Sequence, residues 1–404
     1  GDRSGLEREF LELVERVSAE KLVELSERPG LRTVAVFFAA DDELAGERDA
    51  LADLALDLNE RMGQYGARVE MRFYAPERHQ ELLETSEMAM AVYYTRIGAF
   101  GREQLEDAYG RATQGKNPRR LYVSFRSTEG KKLAADFRAF QSSFEEERGY
   151  FVGWFEHVDS LKNDFLLSLV NLLGERAALD DVRLEGAWVT FGGLRVADMS
   201  RLPVVAKNRG LNELKVYEAD LEIRLVACRE ACERNPSDEA LAVKFREVAA
   251  ERLKVKEQIE RELKLSLDLA KRMASFVVGE ADEGLQKAGV KLEGGQINEA
   301  RRILDAASML HAEACEQIVR NADIRAEEIA QDVRKLRAGI EVDMFRADVI
   351  LADAGRSFKD RFGEVERVHR TWVERLEKFG RICSRENGEV VDALLAEILH
   401  GLSY

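Results

Sequence analysis

Proline is absent from this 404-residue sequence after Pro236, the last of its five prolines. The remainder therefore lacks the strongest helix breaker, which divides the chain into a mixed front and a helical back. Cysteine is also scarce. Cys228, Cys232, Cys315 and Cys383 form no CxxC pair, so neither a disulfide-stapled scaffold nor a zinc ribbon is indicated. Cys228 and Cys232 stand four apart in a helical stretch with no histidine nearby, and read as small apolar packers. The five histidines (79, 157, 311, 369 and 400) never fall at HExxH spacing, and no GxSxG elbow occurs. No apolar run approaches the roughly 18 residues a membrane span requires, and no signal peptide is visible. A cytoplasmic location is expected. The chain starts with Gly rather than Met, so a trimmed N-terminus is expected. Positive charge is in deficit, with 61 Lys and Arg against 76 Asp and Glu, net -15. Such a field repels nucleic acid and anionic membranes. The nearest basic patch, Lys116, Arg119 and Arg120, is small.

Apolar residues make up 45% and charged residues 34%, a globular composition with a charge-rich surface. Residues 6–27 read as an amphipathic helix with Leu6, Phe10, Leu13, Val14 and Val17 on one face, ended by Pro29-Gly30. Residues 33–38 form a short apolar run that suits a buried parallel strand. Asp41 or Asp42 is expected to cap the helix that follows, over 43–62. Strands are then predicted at 69–73, 88–94, 121–125 and 150–155, and helices at 77–85, 102–113, 130–147 and 160–173. Five strand-then-helix units imply a parallel sheet with helices on both faces. Ligands of such sheets bind outside the carboxyl ends of the strands. The predicted site is residues 39–42, Tyr74, residues 94–101 and residues 124–127, which brings forward Ala40, Asp41, Tyr74, Thr95, Arg96 and Ser124. Arg48, beside Glu47, lies one turn from the first loop and joins them.

Residues 182–198 read as a β-hairpin turning at Gly192-Gly193. From Leu211 onward helices dominate. One pair, interrupted at residues 236–238, carries Leu241, Phe245, Val248, Val255, Ile259 and Leu263 on one face. Arg252 falls where a strict heptad wants an apolar residue, so an antiparallel hairpin is expected rather than a free coiled coil. Further helices are predicted at 280–292, 297–322, 324–354, 356–384 and 388–401. Ala288, Ala300, Leu304 and Ala307 around Gly294-Gly295 fit one tetratricopeptide-like helix pair, without a second copy at the period of about 34 residues. Gly110 to Asn117 nearly matches GxxxxGK[ST], but a helix precedes it and a strand follows, the reverse of what phosphate cradling needs. It reads as a helix stop.

Several segments together resemble bacterial TIR-like (Toll/interleukin receptor-like) domains. Val36-Phe37-Phe38-Ala39-Ala40 through Glu43-Leu44 to Glu47-Arg48 looks like the opening strand, loop and acidic-Arg pair. Ser86-Glu87-Met88-Ala89-Met90-Ala91-Val92, then Arg96-Ile97-Gly98 and Glu103-Gln104-Leu105-Glu106-Asp107-Ala108, look like the third strand and its helix. Lys116-Asn117-Pro118 resembles the approach to strand four. The resemblance covers about residues 31–177 and implies a flavodoxin-like five-stranded parallel sheet. The implied organisation is an N-terminal helix (1–30), the TIR-like domain (31–177), a β-hairpin linker (178–204) and a helical domain (205–404).

The family includes enzymes that cleave NAD at the nicotinamide–ribose bond, and also adaptor modules. Its catalytic glutamate sits four residues before a small residue in the helix after strand 3. Counting back from Ala108, that position holds Gln104, with Glu103 beside it. Gln104 can hydrogen-bond a ribose hydroxyl but supplies no negative charge. Ala39-Ala40 replaces a common serine, and Phe73-Tyr74 stands where related domains carry Trp-Glu. These departures favour a signalling or interaction role of prokaryotic defence type. The α/β module would self-associate or bind a nucleotide-like ligand, and the helical half would dock a protein partner. The alternatives are an NAD glycohydrolase using Glu103, and a non-enzymatic scaffold. No cofactor is required, and NAD or a related nucleotide is the expected ligand or substrate.

Overall fold

The computed structural model describes residues 31–40, 42–98, 100–128, 133, 135–146, 152–174, 176–275, 282–321 and 329–382. The expected helices at 6–27 and 388–401, and Asp41, lie outside the described residues. The front contains β1 (Arg32–Ala40), α1 (Ala45–Met62), β2 (Ala67–Phe73), α2 (His79–Glu84), β3 (Met88–Tyr93), α3 (Arg102–Thr113), β4 (Arg120–Arg126), α4 (Ala135–Glu146), β5 (Val152–Phe155) and α5 (Val158–Leu173). All pairings in this sheet are parallel, in the order β2-β1-β3-β4-β5. That is the flavodoxin-like order, whose topological switch point lies between β1 and β3.

Alternation along the central strands builds two apolar layers. Val34, Val36 and Phe38 join Met88, Met90 and Val92 under α1 and α5, while Phe37, Ala39, Ala89, Ala91, Val123 and Phe125 form the opposite layer. Both faces of β1 and β3 are buried, so these strands read as near-continuous apolar runs. Helix α1 starts differently from expectation. A 3-10 turn, Asp42–Leu44, leads into Ala45, and the cap position is Leu44, with no side-chain capping bond. The fully buried Leu44 side chain anchors the start of the helix, rather than the carboxylate of Asp42. The segment Gly110 to Asn117 is a helix stop: α3 ends at Thr113, Gly115 has φ +69°, and Lys116 N donates to Arg111 O at 3.0 Å.

After α5 come the short α6 (Arg176–Asp180) and a second sheet of β6 (Val182–Glu185), β7 (Trp188–Phe191) and β8 (Leu194–Asp198), antiparallel and in that order. The expected single hairpin is thus a three-stranded meander. Its Gly192-Gly193 turn is where the sequence placed it, with φ +53° and +81°. The other turn, Gly186-Ala187 between the paired Glu185 and Trp188, turns through Gly186 at φ +63°. It escaped notice because only one of its residues is a turn former.

The rest is helical: α7 (Pro203–Ala206), α8 (Arg209–Arg234), α9 (Glu239–Ser275), α10 (Glu283–Glu293), α11 (Ile297–Asn321), α12 (Ile329–Ala352) and α13 (Phe358–Ile382). In the hairpin of α8 and α9, Leu221 and Val255 are buried between the helices. Arg252 lies half-buried in the seam, where its Nε donates to Glu218 at 2.8 Å and it also pairs with Glu222. The off-pattern arginine is therefore an ion-paired seam residue. The helices also continue the core of the front. Leu263 and Leu267 of α9 join the α1/α5 layer and Val290 of α10 joins the other. Lys271 Nζ donates to Val182 O at 2.6 Å, and Arg120 Nη1 to Ala274 O at 3.5 Å. Ala288, Ala300, Leu304 and Ala307 are buried in one cluster with Phe345 and Val349 of α12, so this helix pair packs into an irregular bundle. Among the described residues no helix is long and apolar enough to cross a membrane.

Candidate functional site

The switch point between β1 and β3 opens at the carboxyl edge of the sheet, where β1 runs into the Asp42–Leu44 turn and β3 into Tyr94 and Thr95. Two bridges cross this edge. Thr95 Oγ1 donates to the Glu43 carboxylate at 2.7 Å, tying the two loops together. One helical turn further along, Glu47 accepts from Arg126 Nη1 at 2.7 Å. The side chain of Glu47 is only 11% exposed, whereas that of Arg126 is 34% exposed. The Arg126 guanidinium also lies over the Tyr94 ring, 4.9 Å from its centroid. Two carboxylates from the segment after β1 and one cation from the end of β4 thus meet Tyr94 and Thr95 of the loop after β3 at this edge. Carboxylates accept sugar hydroxyls, and a planar guanidinium on an aromatic face suits a phosphate or an adenine-like plane. Among the described residues no group of three or more His, Cys, Asp or Glu could hold a metal ion.

Of the residues singled out from sequence, Thr95 enters this constellation directly. Ala40 ends β1, half-buried beside it. Tyr74 sits half-buried at the end of β2, its N–H donating to Phe38 O at 2.9 Å and its ring packed against Phe37 and Phe100. Arg48 is half-buried on α1 and paired with its neighbour Asp49 at 3.1 Å. Arg96 is exposed on the loop after β3. Glu103 is exposed on the first turn of α3, and the Gln104 side-chain oxygen accepts from Gly101 N at 3.1 Å. Gln104 thereby caps the helix that carries it. Asp41 lies outside the described residues.

Ser124 is 1% exposed, below the edge, and its hydroxyl has no hydrogen-bond partner. It belongs to a polar line that β4 draws through the apolar layer, since Tyr122, Ser124 and Arg126 alternate onto one face. Tyr122 donates to Asp164 of α5 at 2.6 Å, and burial pushes the Asp164 carboxyl up to about 6. The paired strand makes room for this line at Gly153, where a Cβ would stand 2.4 Å from the Tyr122 hydroxyl. The predicted range 124–127 contains both Ser124 and Arg126, but the sequence singled out only Ser124. The signal was present in the strand's own alternation: of the three polar residues on that face, only the last clears the sheet edge.

Comparison of the chain with family models, with curated proteins and with solved structures gave no match.

Proposed function

We propose that this is a signalling or interaction protein, of prokaryotic defence type, whose α/β module binds a nucleotide-like ligand at the carboxyl edge and whose helical half docks a protein partner. The observation that carries this reading is the convergence of Glu43, Glu47 and Arg126 on the β1/β3 switch point, the place where open parallel sheets receive ligands. The resemblance of residues 31–177 to TIR-like domains supports the same ligand class, with NAD or ADP-ribose as candidates. Binding rather than cleavage is favoured by Gln104. Its side chain is spent on capping α3, and the neighbouring Glu103 is exposed on the helix surface.

Isothermal titration of the full chain with NAD, ADP-ribose and cyclic nucleotides tests this. One of them binds, and Arg126→Ala weakens it about tenfold or more, the worth of a charged hydrogen bond. A flat response to every ligand overturns the proposal in favour of a scaffold. Nicotinamide release by the wild type, lost in Glu103→Ala, overturns it in favour of hydrolysis.

A further inference from the structure

A groove of about 990 Å³ lies in the helical half, far from the sheet edge in sequence and built by α9, α12 and α13. Its floor is largely apolar, with Met344, Ala347 and Leu351 of α12 between Leu265 of α9 and Val365 and Val373 of α13, and Asp348 as the one charged floor residue lining it. At one end Phe358 and Phe362 stack, with centroids 6.1 Å apart, and remain 39% and 44% exposed. Large apolar side chains left this open on a charge-rich surface mark a site that something covers.

The two rims have opposite character. The α9 rim carries Arg261, Lys264 and Arg272 beside Asp268, and Arg272 is paired with Asp348 of α12 at 3.1 Å, which leaves Arg261 and Lys264 to give this rim its positive character. The α13 rim carries Glu366, Glu374 and Glu377 against one cation, Arg370, which is paired with Glu366 at 2.6 Å. The lining residues of α9, 261 to 272, span about 16 Å and those of α13, 358 to 377, about 28 Å at the rise of an α-helix. An elongated trough of three to five helical turns, largely apolar below and oppositely charged along its sides, exceeds what a compact small molecule fills. It has the form of a helix-receiving groove.

We infer that the groove between α9 and α13 receives an amphipathic helix of another protein. That helix presents an apolar stripe to α12, acidic side chains to the α9 rim and basic side chains to the α13 rim. The inference specifies the partner that the proposed function assigns to the helical half, and rests on that part of it. The charges do more than add attraction. Turning the helix end for end would place acid against acid and base against base, so the rims fix its direction. Complementarity of this kind governs orientation and encounter more than raw affinity.

The test uses the full chain and two synthetic peptides of about 18 residues with identical composition and the same apolar stripe. One carries Glu along one flank and Lys along the other; the second alternates Glu and Lys on both flanks. Fluorescence anisotropy should show the segregated peptide binding at least tenfold tighter than the alternating one. The preference should disappear in Lys264→Glu/Glu374→Lys, and binding should be lost in Phe362→Glu. Phe362 is 44% exposed, so this change leaves folding intact, as circular dichroism would verify. Equal binding of the two peptides, no binding of either, or binding that survives Phe362→Glu overturns the inference. Sedimentation of the chain alone covers a rival occupant. Self-association that Phe362→Glu abolishes assigns the groove to a second copy, and likewise overturns it. Nucleotide titration of Phe362→Glu should match the wild type, which separates failure here from failure of the sheet-edge site.

Discussion

Arg361 of α13 and Glu262 of α9 face each other with 1% and 2% of their side-chain surface exposed. Arg361 Nη1 donates to Glu262 Oε2 at 2.8 Å, and Nη2 closes the fork on Oε1. The pair joins the two helices whose rims form the groove. Nη1 also reaches Leu351 O, while Nε has no partner. Two buried charges satisfied mainly by each other are costly to separate. Removing either one strands the other in a low-dielectric interior.

Arg361→Ala or Glu262→Ala alone should therefore lower unfolding stability by about 3–5 kcal/mol. The double change Arg361→Met/Glu262→Leu should lie close to the wild type or above it, because desolvation of both ions is removed together with their attraction. Urea denaturation of the three variants checks this. A double variant no more stable than either single one would show that the pair contributes through something other than its buried charge.

Gly210 governs a different junction. A Cβ at this position would stand 2.1 Å from Ala354 O and 2.7 Å from Gly355 N. The first turn of α8 is thus pressed against the backbone between α12 and α13, where Asn208 Nδ2 also donates to Ala352 O at 3.1 Å. A backbone cannot yield as a flexible side chain does. Gly210→Ala should lower stability by about 2 kcal/mol or more, at the upper part of the range for single substitutions. Gly110→Ala meets nothing within 4 Å and, inside α3, should be neutral or stabilise by up to about 1 kcal/mol. Melting temperatures of the two variants give the contrast, and equal effects would show that the close approach at Gly210 is relieved at little cost.

Much of this architecture was legible because local patterns and tertiary demands agree. The buried run from Val34 to Ala39 and the run from Met88 to Tyr93 announce parallel strands, and strand–helix alternation then fixes the type of sheet. Strand order was legible only through the TIR-like resemblance, since no pairing partner can be read from an isolated apolar run. The carboxyl edge was foreseeable from the strand–helix order, and Thr95 lies on it. Glu47 and Arg126 both fall in or beside the predicted segments, but their pairing was not foreseeable, because it spans 79 positions in the chain and neither residue names its partner. The groove was invisible for the same reason. Its apolar residues lie on three helices, where each reads as part of an ordinary core stripe, and only packing reveals which face stays uncovered. Arg252 was recognised as a break in the heptad, but its meaning required Glu218 opposite it.

Asp164 makes the polar line of β4 sensitive to pH. Burial lifts its carboxyl from 3.8 to about 6 in the folded protein, against the smaller opposing effect of the Tyr122 hydroxyl. A carboxyl raised in this way keeps its proton in the folded state at pH values where the unfolded chain has already released it. Folding is then favoured by acid: its contribution falls as pH rises from 3.8 to about 6. The displacement corresponds to about 3 kcal/mol in full. Asp164→Asn keeps an acceptor for Tyr122 and removes the titration. Its melting temperature should exceed that of the wild type at about pH 8 and converge with it as pH falls below 4. An advantage that is the same at both pH values would mean that the gain comes from packing, and a wild type that is the more stable at about pH 8 would mean that the ionised carboxylate is well accommodated beside Tyr122.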